Sequence, residues 1–320
     1  MNLFNPYYYA VKLRNWLYDR GILKSYTLDV PVVCVGNLSV GGSGKTSLVR
    51  FISNALSEKF HVAVLLRGYK RKTKGLLVAS YRGEVKAGWE EVGDEAYMLS
   101  RVLKNSSVLV CEDRVLGGNF AIKELEAEVI ILDDGFQHRR LKPDLSIVLL
   151  KEGDLKDRLL PFGRLREPLS ALKRADAVVL SYQDVKEWDL TLEKPVFKLY
   201  RTNWRIVSAD GKIVDHKDKT FVAFSALGDN GQFFQTLVKL GIKVEKFLSF
   251  PDHYHYKNFV LKKEKLYLTT LKDFFKLEPS ENLFYENLFY LDFDLRVDGL
   301  LGFIINNIRA GSSAGRATDS

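Results

Sequence analysis

Residues Gly41-Gly42-Ser43-Gly44-Lys45-Thr46-Ser47 set three glycines, a lysine and a hydroxyl in the order a phosphate-binding loop requires. Glycines let backbone N–H groups close around a β-phosphate, the lysine reaches the β- and γ-phosphates, and the threonine hydroxyl can hold Mg²⁺. Ser39 stands where the usual pattern opens on glycine, and Gly36 is expected to supply part of the missing backbone freedom. A second segment, Val129-Ile130-Ile131-Leu132-Asp133-Asp134, is an apolar run ending in two carboxylates, where a phosphate-loop protein needs acid to order Mg²⁺ and water. Asp133 or Asp134 is expected to organise the metal, with Gln137 and His138 close enough in sequence to assist.

Three further clusters are unusually polar: Arg67 to Lys72, Gly93-Asp94-Glu95, and Glu112-Asp113-Arg114. The cations of the first, continued in Lys74, invite an anionic substrate, whereas Asp94 near a helix start could also serve as a simple cap. Phe250-Pro251-Asp252-His253-Tyr254-His255-Tyr256 places His253 beside Asp252 among aromatics, a setting for acid/base chemistry or for packing. No cysteine pair or His-x₃-His spacing supports a metal there.

The elements that must position these groups can be read from periodicity. Val32 to Val35 is a short buried strand, and Ser47, Leu48, Val49, Phe51, Ile52 and Leu56 keep the spacing of one helix face, so the glycine loop joins strand to helix. Apolar runs recur at 61–66, 107–111, 129–132, 145–150 and 177–180 with helical segments between them, which predicts a mostly parallel sheet flanked by helices. In such a sheet the polar clusters converge at the carboxyl ends of the strands. From about residue 203 the runs 221–224, 244–248 and 266–269 repeat the pattern without a glycine loop. The expected organisation is therefore α/β throughout: residues 1–202 as an N-terminal helix plus a P-loop NTPase-type domain, 203–308 as a smaller α/β lobe, and 309–320 as a disordered tail. The first helix, from Asn5 to about Arg20, has proline at its start and Gly21 past its end. Tyr8, Tyr9, Val11, Trp16 and Leu17 give it an aromatic face that either packs on the domain or meets lipid, with Lys12, Arg14 and Arg20 placed for headgroups.

The 320 residues carry a formal net charge of +8, which favours an anionic partner without choosing among nucleotide, nucleic acid and acidic membrane. Cys34 and Cys111 lie inside apolar runs and read as core residues of a protein in a reducing compartment. No run approaches the ~20 apolar residues of a membrane span, and no secretion signal is expected.

Taken in order, the blocks Val35-Gly36-Asn37 through Thr46, Arg67-Gly68-Tyr69, Gly93-Asp94-Glu95, Glu112-Asp113-Arg114, Leu132 through Arg139, Leu165-Arg166-Glu167-Pro168, Phe250-Pro251-Asp252-His253 and Thr269-Thr270 resemble the tetraacyldisaccharide 4′-kinase family of lipid A synthesis over nearly the whole chain. The resemblance implies transfer of the γ-phosphate of ATP, with Mg²⁺, to the 4′-hydroxyl of an acylated glucosamine disaccharide 1-phosphate at the cytoplasmic face of the bacterial inner membrane. It implies that Gly41, Gly42, Ser43, Gly44, Lys45, Thr46 and Ser47 hold the nucleotide, that Thr46, Asp133, Asp134 and Gln137 order the metal, and that Asp94 with His253 activates the hydroxyl. It also implies Lys45 and Asp134 as catalytic groups, and Arg67, Tyr69, Lys70, Arg71, Glu95, Arg114, His138, Arg166 and Glu167 around the sugar and its 1-phosphate. The N-terminal helix then gains a reason to touch the bilayer. No obligate protein partner is implied. The chain departs from the family at Leu271, where many members have Glu, and in the repeat of Glu281–Tyr285 as Glu286–Tyr290.

Two other readings share the loop: a different small-molecule kinase, and a membrane-associated ATPase switch. The switches place a lysine just before the glycine pair, where Val40 stands here. A nucleic-acid-binding role fits the charge but lacks any recognition signature.

Overall fold

The computed structural model describes residues 5–256, 259–277 and 285–314. The chain forms two compact units, Met1–Tyr200 with Leu295–Ser320, and Arg201–Asp294.

In the first unit, helix α1 (Pro6–Asp19) starts where the sequence signals it: Pro6 opens the first turn, and the Asn5 side chain accepts from the N–H groups of Tyr7 and Tyr8. The sheet then collects β1 (Val32–Asn37), β2 (Val62–Leu66), β3 (Leu77–Tyr81), β4 (Glu84–Val85), β5 (Ser107–Val110), β6 (Val129–Asp133), β7 (Leu145–Leu150), β8 (Ala177–Leu180) and β9 (Val196–Lys198) in the order β4-β3-β5-β2-β6-β1-β7-β8-β9. From β5 through β9 every pairing is parallel, and β3 pairs antiparallel with both β5 and β4. Every residue of β1, β2, β6, β7 and β8 is buried, as expected of strands covered by helices on both faces. The helices are α2 (Lys45–Leu56), α3 (Trp89–Val92), α4 (Asp94–Val102) and α5 (Arg114–Lys123). Central strand β1 lies between β6 and β7, so the strand order reverses there and opens a crevice at the carboxyl edge.

Gly36 does not supply backbone freedom by a left-handed conformation, contrary to expectation. It is the fifth residue of β1, and a Cβ built on it would lie 2.4 Å from Cβ of Phe136. Its role is to let the segment after β6 pass against β1. Gly36→Ala is accordingly expected to lower stability by about 1–3 kcal/mol through overpacking, read as a fall in melting temperature; a variant as stable as the parent would contradict this packing.

The second unit is built on a six-stranded sheet, β11-β10-β15-β14-β12-β13, from β10 (Tyr200–Ser208), β11 (Ile213–Val214), β12 (Thr220–Ser225), β13 (Lys243–Ser249), β14 (Leu266–Thr270) and β15 (Leu288–Arg296). Helices α6 (Asn230–Lys239) and α7 (Leu271–Lys276) accompany it, with Phe221, Leu237 and Leu268 on one face of the core and Phe224, Leu261 and Leu288 on the other. Leu271 is the first residue of α7, capped by the Thr270 hydroxyl, which accepts from the N–H of Asp273 at 3.1 Å. The chain crosses between units within β10 and again within β15, so α8 (Leu300–Ala314) counts with the first unit, not with the smaller lobe that the sequence division ran to residue 308. Its ring contact between Phe303 and Phe197, at 5.5 Å, shows the same association. The first six residues of the expected tail thus belong to a helix, and residues 315–320 lie outside the described residues. So does most of the Glu281–Tyr285 copy of the repeat.

Candidate active site

β1 delivers its last residue, Asn37, to the carboxyl edge, and the glycine loop follows. Gly41 and Gly44 take φ of +95° and +86°, which an L side chain would resist. Gly44 is the N-cap of α2 and offers no side-chain acceptor, so the N–H groups of the first turn remain available to an anion. Leu48, Val49, Ile52 and Leu56 bury the opposite face of α2 and hold that end in place. The loop is also pinned from outside: the N–H of Val40 donates to Arg164 O at 2.8 Å, and the Ser181 hydroxyl donates to Ser43 O at 2.9 Å. The hydroxyls of Ser39 and Ser43 are buried without a protein partner.

Lys45 extends back across the loop, donating to Asn37 Oδ1 at 3.1 Å and lying 3.7 Å from Asp134 Oδ1. Arg166 grips the same carboxylate with both terminal nitrogens, at 2.8 and 2.6 Å, and also donates to Asn37 Oδ1. Burial alone would raise the Asp134 carboxyl, but Lys45 and Arg166 outweigh it and hold the group down at about 2. Its neighbour behaves in the opposite way. Asp133 closes β6, beside β1; burial pushes its carboxyl up to about 7 against the pull of Lys45, and the Asp134 charge adds to the rise. Both Asp133 carboxylate oxygens are buried without a hydrogen-bond partner, as is Gln137 Oε1, whose Nε2 donates to Asn37 O at 2.9 Å. Unpartnered oxygens beside the Thr46 hydroxyl are hard donors of the kind Mg²⁺ takes when substrate phosphates and water complete its shell. Asp133, Gln137 and Thr46 therefore fit the metal.

Between the ordinary Asp133 value of 3.8 and about 7, the folded metal-free protein keeps a proton that the unfolded chain has released, so this group lowers stability as pH rises through that window. Asp133→Asn is expected to flatten that fall and to melt higher than the parent at pH 8 without metal. A variant melting at or below the parent would show that the carboxylate is not under this desolvation strain.

Arg114 is buried; it opens α5 and donates to Cys111 O and Glu112 O at 3.1 and 3.2 Å, leaving Nε without a partner. Burial, and then the Arg114 charge, hold the imidazole of His138 down at about 4, so it is neutral, with Nε2 buried and unpartnered. Glu95 is near enough to Asp133 for its charge to add to that group's rise. Arg71 is buried and pairs with Glu112 at 2.6 Å, while Arg67, Tyr69 and Lys70 are exposed on the loop after β2. Asp94 is a buried first-turn residue of α4, not its cap, which is Gly93. His253 belongs to the second unit, in a left-handed turn with φ of +65°, its Nε2 3.5 Å from Asp252 Oδ2.

Glu167 departs from expectation. It is fully buried, and its carboxylate accepts from Arg14 at 2.7 Å, from Asn15 at 3.1 Å and from Arg174. A carboxylate so completely paired joins helix α1 to the domain and has no face left for a sugar. Sequence reasoning gave Asn37 no task, yet it binds Lys45, Arg166 and Gln137. The available signal was a polar residue ending an otherwise apolar strand immediately before the glycine loop.

Residues 3–308 match the family described as LpxK, tetraacyldisaccharide-1-P 4′-kinase. The chain is similar to the tetraacyldisaccharide 4′-kinase of Aquifex aeolicus, with 50% identity over 291 residues covering 90% of each chain. It is similar also to that of Elusimicrobium minutum, with 35% identity over 324 residues covering 92% of this chain and 86% of the relative. Among solved structures it resembles the crystal structure of the "apo" form of LpxK from Aquifex aeolicus in complex with ATP, with a TM-score of 0.86 and 48% identity over 94% of this chain and 96% of that one.

Proposed function

The chain belongs to the tetraacyldisaccharide-1-phosphate 4′-kinase family, and from that premise we propose a division of labour among its residues. The protein is a phosphotransferase that moves the γ-phosphoryl group of ATP to the 4′-hydroxyl of a tetraacyldisaccharide 1-phosphate, a step of lipid A biosynthesis. In this reading the backbone N–H groups of 41–47 cradle the nucleotide phosphates and Lys45 neutralises charge on the group in transfer. Thr46, Asp133 and Gln137 hold Mg²⁺, which when bound would screen the β- and γ-phosphate oxygens. Asp134, kept ionised by Lys45 and Arg166, fixes the lysine and the arginine in place before phosphate arrives. Asp94 is the group proposed to take the proton from the 4′-hydroxyl, with His253 as the other candidate for acid/base work. Arg67, Tyr69, Lys70, Arg71, Glu95, Arg114 and His138, with Arg166, receive the headgroup and its 1-phosphate.

The observation that carries this reading is the buried, unpartnered Asp133 carboxylate at the end of the strand beside the glycine loop. Mn²⁺ with ATP is the direct probe. Electron paramagnetic resonance should show Mn²⁺–ATP bound to the parent and held roughly 10-fold or more weakly by Asp133→Asn. Equal affinity would remove Asp133 from the metal site.

No helix among the described residues is long and apolar enough to cross a membrane. Contact with the inner membrane's cytoplasmic face is assigned to the outer side of α1, where Tyr9, Leu13 and Trp16 are exposed with a spacing of one helix face. Leu13→Asp is expected to weaken sedimentation with anionic vesicles by about 10-fold, the worth of one leucine kept from lipid, and to raise the KM for lipid more than that for ATP. Unchanged vesicle binding would count against this face.

A further inference from the structure

Helix α1 does more than present an outer face. Its inner face meets the two segments that build the site. The Tyr7 hydroxyl donates to Arg166 O at 2.9 Å, and the Asn5 amide donates to Leu160 O at 2.9 Å. Arg14 and Asn15 hold the Glu167 carboxylate, which the guanidinium of Arg174 also grips. Asn15 reaches the other segment as well, because its carbonyl accepts from Arg139 Nη1 at 2.8 Å, and Arg139 pairs with Asp19 at 2.7 Å. Arg174 closes the ring by lying over the Phe136 side chain at 4.3 Å. One short helix therefore ties down both the residue after Arg166 and the stretch following Asp134.

We propose that the inner face of α1 is a positioning element for phosphoryl transfer, in which Tyr7, Arg14 and Asn15 hold the Arg166-Glu167 segment so that the Arg166 guanidinium stays aligned on Asp134 and Asn37. The backbone of Arg166 is held from both sides: its N–H donates to Leu38 O at 2.6 Å, and its carbonyl accepts from Tyr7. With the Tyr7 anchor removed, the peptide can pivot, and displacement of about 1 Å at a charge-stabilising group can cost 10²-fold in rate. Glu167 supplies the second anchor, since a buried carboxylate that loses Arg14 must find another cation or shift. The outer and inner faces of α1 thus have separable duties, toward lipid and toward catalysis.

This inference rests on Arg166 serving the transfer step in addition to its place at the headgroup, and the test separates that reading from the clamp. In detergent-dispersed substrate, Arg166→Ala sets the scale. Tyr7→Phe and Arg14→Met should each lower kcat roughly 10-fold, with KM values for ATP and lipid within about 2-fold, and Arg14→Lys should recover most of the loss. Hydrogen exchange at 134–140 and 164–168 should quicken in Tyr7→Phe at a melting temperature close to the parent's. If Arg166→Ala is inactive while Tyr7→Phe and Arg14→Met keep parental kcat, or change only KM for lipid, the positioning role is overturned. If Arg166→Ala is itself active, the catalytic reading of Arg166 falls, and unchanged exchange in Tyr7→Phe would then overturn the clamp on its own. Should Arg14→Met fail to fold, Tyr7→Phe decides alone, since it removes only one hydroxyl.

Discussion

Lys45→Ala is expected to leave a folded protein whose kcat for lipid phosphorylation falls by about 10³-fold or more, the order lost when a donor aimed at developing charge is removed. The ammonium lies between Asn37 Oδ1 and Asp134 Oδ1, at 3.1 and 3.7 Å, and Lys45 opens α2 outside the hydrophobic clusters of the core. Its removal takes away a charge without opening a cavity. It also leaves Asp134 with Arg166 as its remaining close cation, and that bidentate pair should keep the carboxylate ionised and the local structure intact. Circular dichroism and melting temperature should therefore stay near the parent while turnover collapses. Lys45→Arg should not rescue, because a planar fork cannot reproduce a point charge threaded between an amide oxygen and a carboxylate oxygen. Near-parental turnover in Lys45→Ala would mean that the glycine loop does not bind the transferred phosphate.

The second large effect is expected at Asp94 and His253. A positioned base contributes about 10²–10⁴-fold, so each alanine variant should lose kcat on that scale with modest change in the KM for ATP. If both residues serve deprotonation of one hydroxyl, the double variant should be scarcely worse than the poorer single one, as for groups that act as a unit. The competing role for His253 is packing, and the surroundings make it a fair contest: Phe250 stacks on Tyr254 with centroids 4.6 Å apart, and Tyr254 and Tyr256 meet edge to face at 5.3 Å. A packing role predicts a lower melting temperature in His253→Ala with kcat nearly intact. Multiplicative losses in the double variant would show two separate functions.

The strands of the larger sheet were legible because burial on both faces makes them continuous apolar runs, and the glycine loop because its backbone demands and its charge are written in residue types. Strands with mixed exposure, such as β3, β4, β10 and β11, carry no such run and were not seen. In the site, Asp133 and Asp134 were legible as a pair but not in their difference. One is stripped of partners and the other gripped by Lys45 and Arg166, and that depends on Arg166 arriving from 32 residues away. Glu167 was misread for the same kind of reason. A carboxylate beside a substrate-facing arginine looks available until Arg14, more than 150 residues earlier, is found against it. Gly36 taught a smaller lesson, since its need for a missing side chain comes from Phe136 and not from its own φ.

This loop and these carboxylates together phosphorylate the 4′-hydroxyl of an acylated disaccharide 1-phosphate in the proposed function. The most direct measurement is to incubate the purified protein with γ-labelled ATP, Mg²⁺ and detergent-dispersed tetraacyldisaccharide 1-phosphate, and to locate the new phosphate by mass spectrometry and phosphorus NMR. One labelled phosphate per lipid is expected, on the 4′ position, formed by the parent and not by Lys45→Ala. Hydrolysis of ATP to free phosphate with the lipid left unmodified, or label at any other position, would contradict it.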